Sequence, residues 1–125
     1  LYTWDEENDL ALVAITQDVP FLEVSKQPEP GWWAMAVGTP YGLEGSVSIG
    51  NVMNIEDFEV YSTSPLNSGN SGGPMVNSRG EVMGTSTATR IGEEDPQDWN
   101  IAVGSPALCV ELILCEEDDS VFLWD

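Results

Sequence analysis

The chain contains no histidine, and only three of its 125 residues are basic: Lys26, Arg79 and Arg90. The first absence removes the side chain that most often acts as a general base near neutral pH. Lys26, the only lysine, lies in a proline-rich stretch and is not placed to substitute for it. The second absence is set against 22 acidic residues and a net charge of −19. Such a field repels a phosphate backbone, so nucleic acid is excluded as a partner. It keeps the chain soluble at the cost of self-repulsion, a balance that also fits adaptation to salt. No apolar run approaches the length of a membrane span, and no signal peptide is recognisable. Cysteine is scarce too. Cys109 and Cys115 are the only pair and would not share one helix face, so they are read as buried free thiols. The acidic runs at 93–98 and 116–119 lack the ligand spacing of a calcium loop, and no metal or cofactor is expected. The length predicts one domain with one real core.

What the chain does concentrate is glycine around one serine. Between Asn67 and Val76, Gly69, Gly72 and Gly73 enclose Ser71. Glycine permits positive φ and close backbone approach. A Gly-Asn-Ser-Gly-Gly run can therefore turn so tightly that successive N–H groups point into one concavity, where an anion or a developing oxyanion is held. A hydroxyl at the mouth of that concavity is a nucleophile candidate. Taken alone, the same residues also read as a flexible turn between strands.

The surroundings of this run resemble the trypsin-like serine proteases, and within them the HtrA/Deg-type branch. Gly69-Asn70-Ser71-Gly72-Gly73-Pro74 matches the family's nucleophile loop, and Asn77-Ser78-Arg79-Gly80-Glu81-Val82-Met83-Gly84 the hairpin and strand after it. Val37-Gly38-Thr39-Pro40-Tyr41-Gly42-Leu43, followed by Gly50-Asn51-Val52, and Asp9-Leu10-Ala11-Leu12-Val13 match two further segments. The four matches stand in the family's order and cover most of residues 9–104. The absence of the disulfides that flank the active site in secreted animal trypsins favours the Deg-type branch.

The resemblance implies an all-β fold: the C-terminal six-stranded β-barrel of the trypsin-like two-barrel architecture, plus a short C-terminal helix. It implies a serine endopeptidase with Ser71 as nucleophile and Asp9 as the triad aspartate. Gly69, Asn70 and Ser71 would form the oxyanion hole, with the N–H groups of Gly69 and Ser71 as donors. Thr85, Ser86 and Thr87 would form the strand that pairs with a peptide substrate, and Pro65 and Leu66 a wall of the first specificity pocket. That wall carries no charge to demand Arg or Lys. The expected partners are a peptide or protein substrate and a missing or separate N-terminal segment carrying the catalytic histidine. The family's histidine lies upstream of the aspartate, which here is the ninth residue, so the chain is read as processed, nicked or truncated. An extracytoplasmic or secreted location is also implied.

Along the chain, residues 1–18 are assigned to the last part of a first barrel, 19–30 to a linker, 31–104 to the second barrel and 105–125 to a terminal helix and tail. Tyr2 and Trp4 are candidate anchors in an acidic lead-in, and Leu10–Ile15 reads as a strand. Phe21, Leu22 and Val24 are expected to pin the linker to the barrel. Residues 31–38 alternate large and small, with Trp33, Met35 and Val37 on one face. Further strands are predicted at 46–53, 58–62, 74–77, 81–87 and 99–103. A turn falls at 39–45, and glycines 42, 45 and 50 suit barrel corners. Residues 92–96 read as an acidic loop rimming the specificity pocket. Ser105 as N-cap and Pro106 as N1 predict a helix through Ala107–Leu114, and Val121–Trp124 an apolar tail packed on the body.

A serine hydroxyl needs a base. Without one, this chain alone is expected to be a very poor protease or none. The alternative readings are an inactive, protease-like peptide-binding module and, more remotely, a structural β-barrel.

Overall fold

The computed structural model describes residues 2–65, 69–92, 95–117 and 122–124. Two short strands, β1 (Tyr2–Asp5) and β2 (Leu10–Val13), pair antiparallel as a separate ribbon. Six strands then close into a barrel: β3 (Trp33–Gly38), β4 (Ser46–Glu56), β5 (Glu59–Ser62), β6 (Pro74–Val76), β7 (Val82–Gly92) and β8 (Asp95–Gly104). Around the barrel the order is β3-β4-β5-β8-β7-β6, and β6 returns to pair with β3. The all-β, six-stranded expectation holds.

The interior of so small a barrel has room for few large side chains. Met75, Met83, Val52 and Val60 fill it, and Ala34 and Ala36 line it from β3. The alternation read in residues 31–38 is therefore real, but its small residues face inward. Trp33, Met35 and Val37 face outward, with Trp33 36% exposed. Trp32, Ile55 and Trp124 pack against the core from its edges; of the expected apolar tail, Trp124 thus docks on the body, Leu123 is exposed and Val121 lies outside the described residues.

Connections differ from the sequence reading in instructive ways. β4 and β5 are joined by Asp57 and Phe58 alone, both at positive φ (50° and 65°), which is the geometry of a two-residue hairpin turn. Neither residue is glycine, so nothing local advertised it. Gly42 and Gly45 do sit at positive φ, whereas Gly50 lies within β4, where a Cβ would stand 2.5 Å from the Ser64 nitrogen. β7 and β8 run on to pair Gly92 with Asp95, so the expected 92–96 loop is a tight hairpin end; residues 93 and 94 lie outside the described residues. In residues 19–30, Val24 bridges Val82 of β7, but Phe21 is 81% exposed and Leu22 is also exposed. Trp4 likewise lies largely in solvent.

After β8 the chain makes a short 3-10 turn (Ser105–Ala107) and one α-helical turn, α1 (Leu108–Glu111). Gly104, not Ser105, is the N-cap; Ser105 is buried. The amides of Leu112 and Ile113 both donate to the Leu108 carbonyl, closing the helix early. The chain then doubles back and Cys109 bonds to Cys115, their Cα atoms 5.6 Å apart. This corrects the free-thiol reading. The helix-face argument does not apply to a helix that ends before Cys115.

A second cluster of Leu10, Val103, Ala107 and Leu112, flanked by Leu108 and Ile113, fastens the β1–β2 ribbon to the barrel and to this terminal turn. Asp5 shapes the ribbon's own turn. Its carboxylate accepts the N–H groups of Glu7 (3.0 Å) and Asn8 (3.2 Å) and the Asn8 side-chain amide (2.6 Å). The Asn8 side chain does most to hold the Asp5 carboxyl below its ordinary value; desolvation opposes this, and the two backbone N–H groups add to it. Folding thus favours the ionised form. Its stabilising contribution is complete above the ordinary aspartate range and is lost as pH falls through the lower folded-state value. Urea unfolding should show the stability gap between wild type and Asp5→Ala shrinking below about pH 4. A gap independent of pH would show that the carboxylate charge is not what holds the turn.

Candidate active site

The glycine-rich loop around Ser71 is built by backbone contacts that leave no room for a side chain at Gly69 or Gly73. The Thr39 amide donates to the Gly69 carbonyl (3.1 Å), the Gly73 amide to the Asn70 carbonyl (3.0 Å) and the Gly72 amide to the Ser86 carbonyl (2.8 Å). The Ser86 amide returns a bond to the Gly73 carbonyl (2.9 Å). The loop is thereby fastened to the start of the 39–45 turn on one side and to β7 on the other. Gly69 takes φ +108°, and a Cβ there would meet the Thr39 carbonyl oxygen at 2.4 Å.

Gly73 is as tightly held. A Cβ would stand 2.2 Å from the Val37 carbonyl oxygen and 3.0 Å from that of Asn70, both backbone atoms that cannot rotate aside. Gly73→Ala is expected to cost about 1–3 kcal/mol of stability, as overpacking does, and to displace the Ser71 hydroxyl. Urea midpoints would check the first part and a crystal structure of the variant the second; an unchanged midpoint would contradict the contact.

Ser71 lies on the surface, and its hydroxyl donates to the Thr87 carbonyl oxygen (3.1 Å). The Thr87 hydroxyl donates a short hydrogen bond to the Asp9 carboxylate. Two side chains 62 residues apart in sequence are thus tied to one residue of β7, through its main chain and its side chain. Asp9 sits in the β1–β2 turn at φ +54° and is exposed. Leu10, next to it, is anchored in the second apolar cluster, so the carboxylate projects from a fixed base.

The remaining predicted residues divide. Asn70 is buried behind Ser71, and its side-chain oxygen has no hydrogen-bond partner among the described residues; the same holds for the Ser86 hydroxyl. Thr85 pairs with Pro74 on one side and Val103 on the other, and Ser86 bonds to Gly72 and Gly73 of the serine loop and faces Ala102. Their main chains are already engaged. Thr87 falls in the register shift between Ser86 and Ala88, which frees it to face Ser71 and Asp9. Pro65 is exposed, its carbonyl accepting the Ser48 hydroxyl, and Leu66 lies outside the described residues. In the sequence, Thr87 stands out only as part of a peptide-pairing strand. Its link to Asp9 spans 78 positions, and no local pattern announces it.

Beside Asp9 and Thr87 opens a cleft of about 210 Å³ that also receives Glu7, Asp57 and Glu59. Four carboxylates around one opening make it strongly favourable for a positively charged group. The residues can therefore offer a hydroxyl, an oriented carboxylate and an electronegative gap beside that carboxylate. They offer no imidazole, because the chain has no histidine.

Comparison with known proteins agrees. Residues 1–84 match the family model of the trypsin-like peptidase domain. A probable periplasmic serine endoprotease, DegP-like, of Chlamydia trachomatis is 40% identical over 96 residues, spanning 67% of this chain and 19% of that protein. The putative serine protease HhoB of Synechocystis is 35% identical over 114 residues, spanning 79% of this chain and 27% of that protein. The crystal structure of the serine endoprotease from Yersinia pestis superposes with a TM-score of 0.73 at 29% identity, covering 82% of this chain and 38% of that one. The chain thus spans between about a fifth and about two fifths of the proteins it resembles. With its closed barrel, its glycine-lined serine loop and these relatives, the chain belongs to the trypsin-like peptidase family, on the HtrA/Deg-type branch.

Proposed function

We propose that this chain supplies Ser71 and Asp9 to a serine endopeptidase whose third triad member, a histidine, is contributed by a separate or missing N-terminal segment. The observation that carries the reading is Thr87, which holds the serine hydroxyl by its carbonyl and the carboxylate by its hydroxyl, both facing solvent. An imidazole entering the electronegative cleft would donate from Nδ1 to Asp9 and accept the Ser71 proton at Nε2. Ser71 Oγ, released from the Thr87 carbonyl, would then attack the substrate carbonyl. The N–H groups of Gly69 and Ser71 would receive the oxyanion. The protonated imidazole would pass its proton to the leaving amine, and water would hydrolyse the acyl-enzyme by the same relay. The imidazolium formed midway is the charge that the surrounding carboxylates favour.

Support for the missing segment comes from the surface. Leu12, Val13, Ile15, Val19, Phe21 and Leu22 are all exposed, along a continuous run from β2 into the linker. Isolated exposed apolar residues are ordinary, but a run of this kind marks a surface meant to be covered. A first barrel, ending in residues 1–18 and leading through 19–30 to the second barrel at 31–104, would cover it. A peptide substrate would add to the edge of β7 from Thr87 onward, because β6 pairs with that strand only as far as Thr85. Pro65 and Leu66 would wall the first specificity pocket without charge. An extracytoplasmic location is consistent with the bonded Cys109–Cys115 pair.

The absence of histidine keeps one other reading in play, a peptide-binding module with no activity. A fluorophosphonate probe separates the two. Mixed with a purified first barrel containing the family's histidine, the chain should become labelled at Ser71, while either part alone, or the Ser71→Ala chain in the mixture, should not. A stable complex that stays unlabelled would establish the binding module instead.

A further inference from the structure

Away from this site, the chain's scarce positive charge is concentrated in one place. Lys26 and Arg79, two of the three basic residues, line a cleft of about 300 Å³ together with Trp32, Trp33, Asn77 and Glu81. Among 22 acidic residues a cation would ordinarily settle beside a carboxylate. Among the described residues, neither Lys26 nor Arg79 forms an ion pair. Lys26 instead stands with its ammonium 6.0 Å from the centre of the Trp32 ring, at the outer limit of a cation–π contact. Glu81, the carboxylate in the cleft, is taken up by the Asn77 side-chain amide (2.9 Å).

The frame beneath these cations is rigid. The Asn77 amide also donates to the Ser25 hydroxyl (3.1 Å), while its oxygen accepts the N–H groups of Arg79 (2.9 Å) and Glu81 (3.0 Å). The Ser25 amide donates to the Val82 carbonyl (2.9 Å) and the Val82 amide to the Glu23 carbonyl (2.8 Å). The segment bearing Lys26 and the turn bearing Arg79 are therefore laced together at fixed spacing. Binding groups held by such a frame lose little freedom when a ligand arrives. Asn77 and Ser25 are buried, while Lys26 and Arg79 are exposed above them.

We propose that this cleft binds the carboxylate of an acidic peptide, with Arg79 and Lys26 receiving the charge and the indoles of Trp32 and Trp33 receiving an adjacent aromatic or aliphatic side chain. Arg presents paired donors suited to a carboxylate. The volume matches the low end of ligand pockets, and two indole walls are wasted on a bare inorganic anion. A polyanion is ruled out by the net charge of −19, which repels it over its whole length, whereas a short peptide brings its charge to one point. The cleft lies past the end of β6 and the nucleophile loop before its start, so the inference stands independently of the protease reading.

Tryptophan fluorescence of the 125-residue chain tests it. Three peptides are compared: a blocked one with a Glu-Phe-Glu core, a Gln-Phe-Gln one with a free C-terminal carboxylate, and a fully blocked Gln-Phe-Gln one. Saturable binding of the first assigns side-chain carboxylates, of the second a chain terminus; the third should not bind. The double substitution Lys26→Gln, Arg79→Gln, on exposed side chains, should weaken binding at least about tenfold with an unchanged far-UV spectrum, while Ser71→Ala should bind like wild type. Raising salt from about 0.02 to about 0.15 M should preserve or tighten binding, because it screens the long-range repulsion before the direct contact. Equal binding of the neutral peptide, unchanged affinity in the double variant, binding by none of the three, or equal displacement by inorganic phosphate would each overturn the proposal.

Discussion

Asp9→Asn, in the two-part protease proposed above, is expected to lower kcat by about four orders of magnitude with KM little changed. The geometry explains the size of the effect. Asparagine can still accept the Thr87 hydroxyl through its oxygen, so the β1–β2 turn and the anchoring of Leu10 stay in place. What changes is the face turned to the incoming imidazole. A carboxylate accepts from Nδ1–H and leaves Nε2 free to take the Ser71 proton; an amide nitrogen in its place donates to the ring and selects the wrong tautomer. It also withdraws one of the four charges around the cleft beside Thr87. Single-turnover kinetics on an ester and an amide substrate, with urea stability as control, would measure it. A loss below about tenfold would remove Asp9 from the triad and leave its bond to Thr87 as a structural link, since even supporting groups cost more than this when they act in the transition state.

Met83→Ala should destabilise the barrel by about 2–5 kcal/mol. Met83 is fully buried at the start of β7, beside an equally buried Met75, in a cluster otherwise made of Ala34, Val52, Val60 and Ala102. Apart from Met75, which can fill part of the space, the neighbours are small or β-branched and cannot swing into it, so much of the cavity stays. The midpoint of urea unfolding should fall with the slope unchanged, while Met83→Leu, nearly equal in volume, should cost less than about 1.5 kcal/mol. Similar values for the two variants would mean that the barrel centre collapses around the loss. The position also matters to the site: β7 carries Met83 four residues before Thr87, so a shifted strand would part Ser71 from Asp9.

The core was legible as composition more than as pattern. Period-2 alternation in residues 33–38 located β3, but large residues point outward there because the closed barrel has space inside only for Ala34 and Ala36 once two methionines occupy it. The hairpin at Asp57 and Phe58 went unread because its positive φ values are imposed by the pairing of Glu56 with Glu59, not by a glycine. The terminal helix was overestimated because apolar residues 107–114 carry helical propensity, whereas the Cys109–Cys115 bond and the packing of Leu112 on Leu10 reward a turn.

Three things could be determined by the sequence alone: the all-β class, the glycine-enclosed Ser71 loop and the lack of any histidine. Each is a local or compositional property. Glycine spacing, turn residues and strand periodicity act within a few bonds, and a missing residue type is missing in every conformation. Only the tertiary structure decided that Thr87 stands between Ser71 and Asp9, that four carboxylates meet beside them, and that Lys26 and Arg79 share one cleft with two tryptophans. Those are juxtapositions across tens of residues, set by the order in which strands close the barrel, and no local preference encodes that closure.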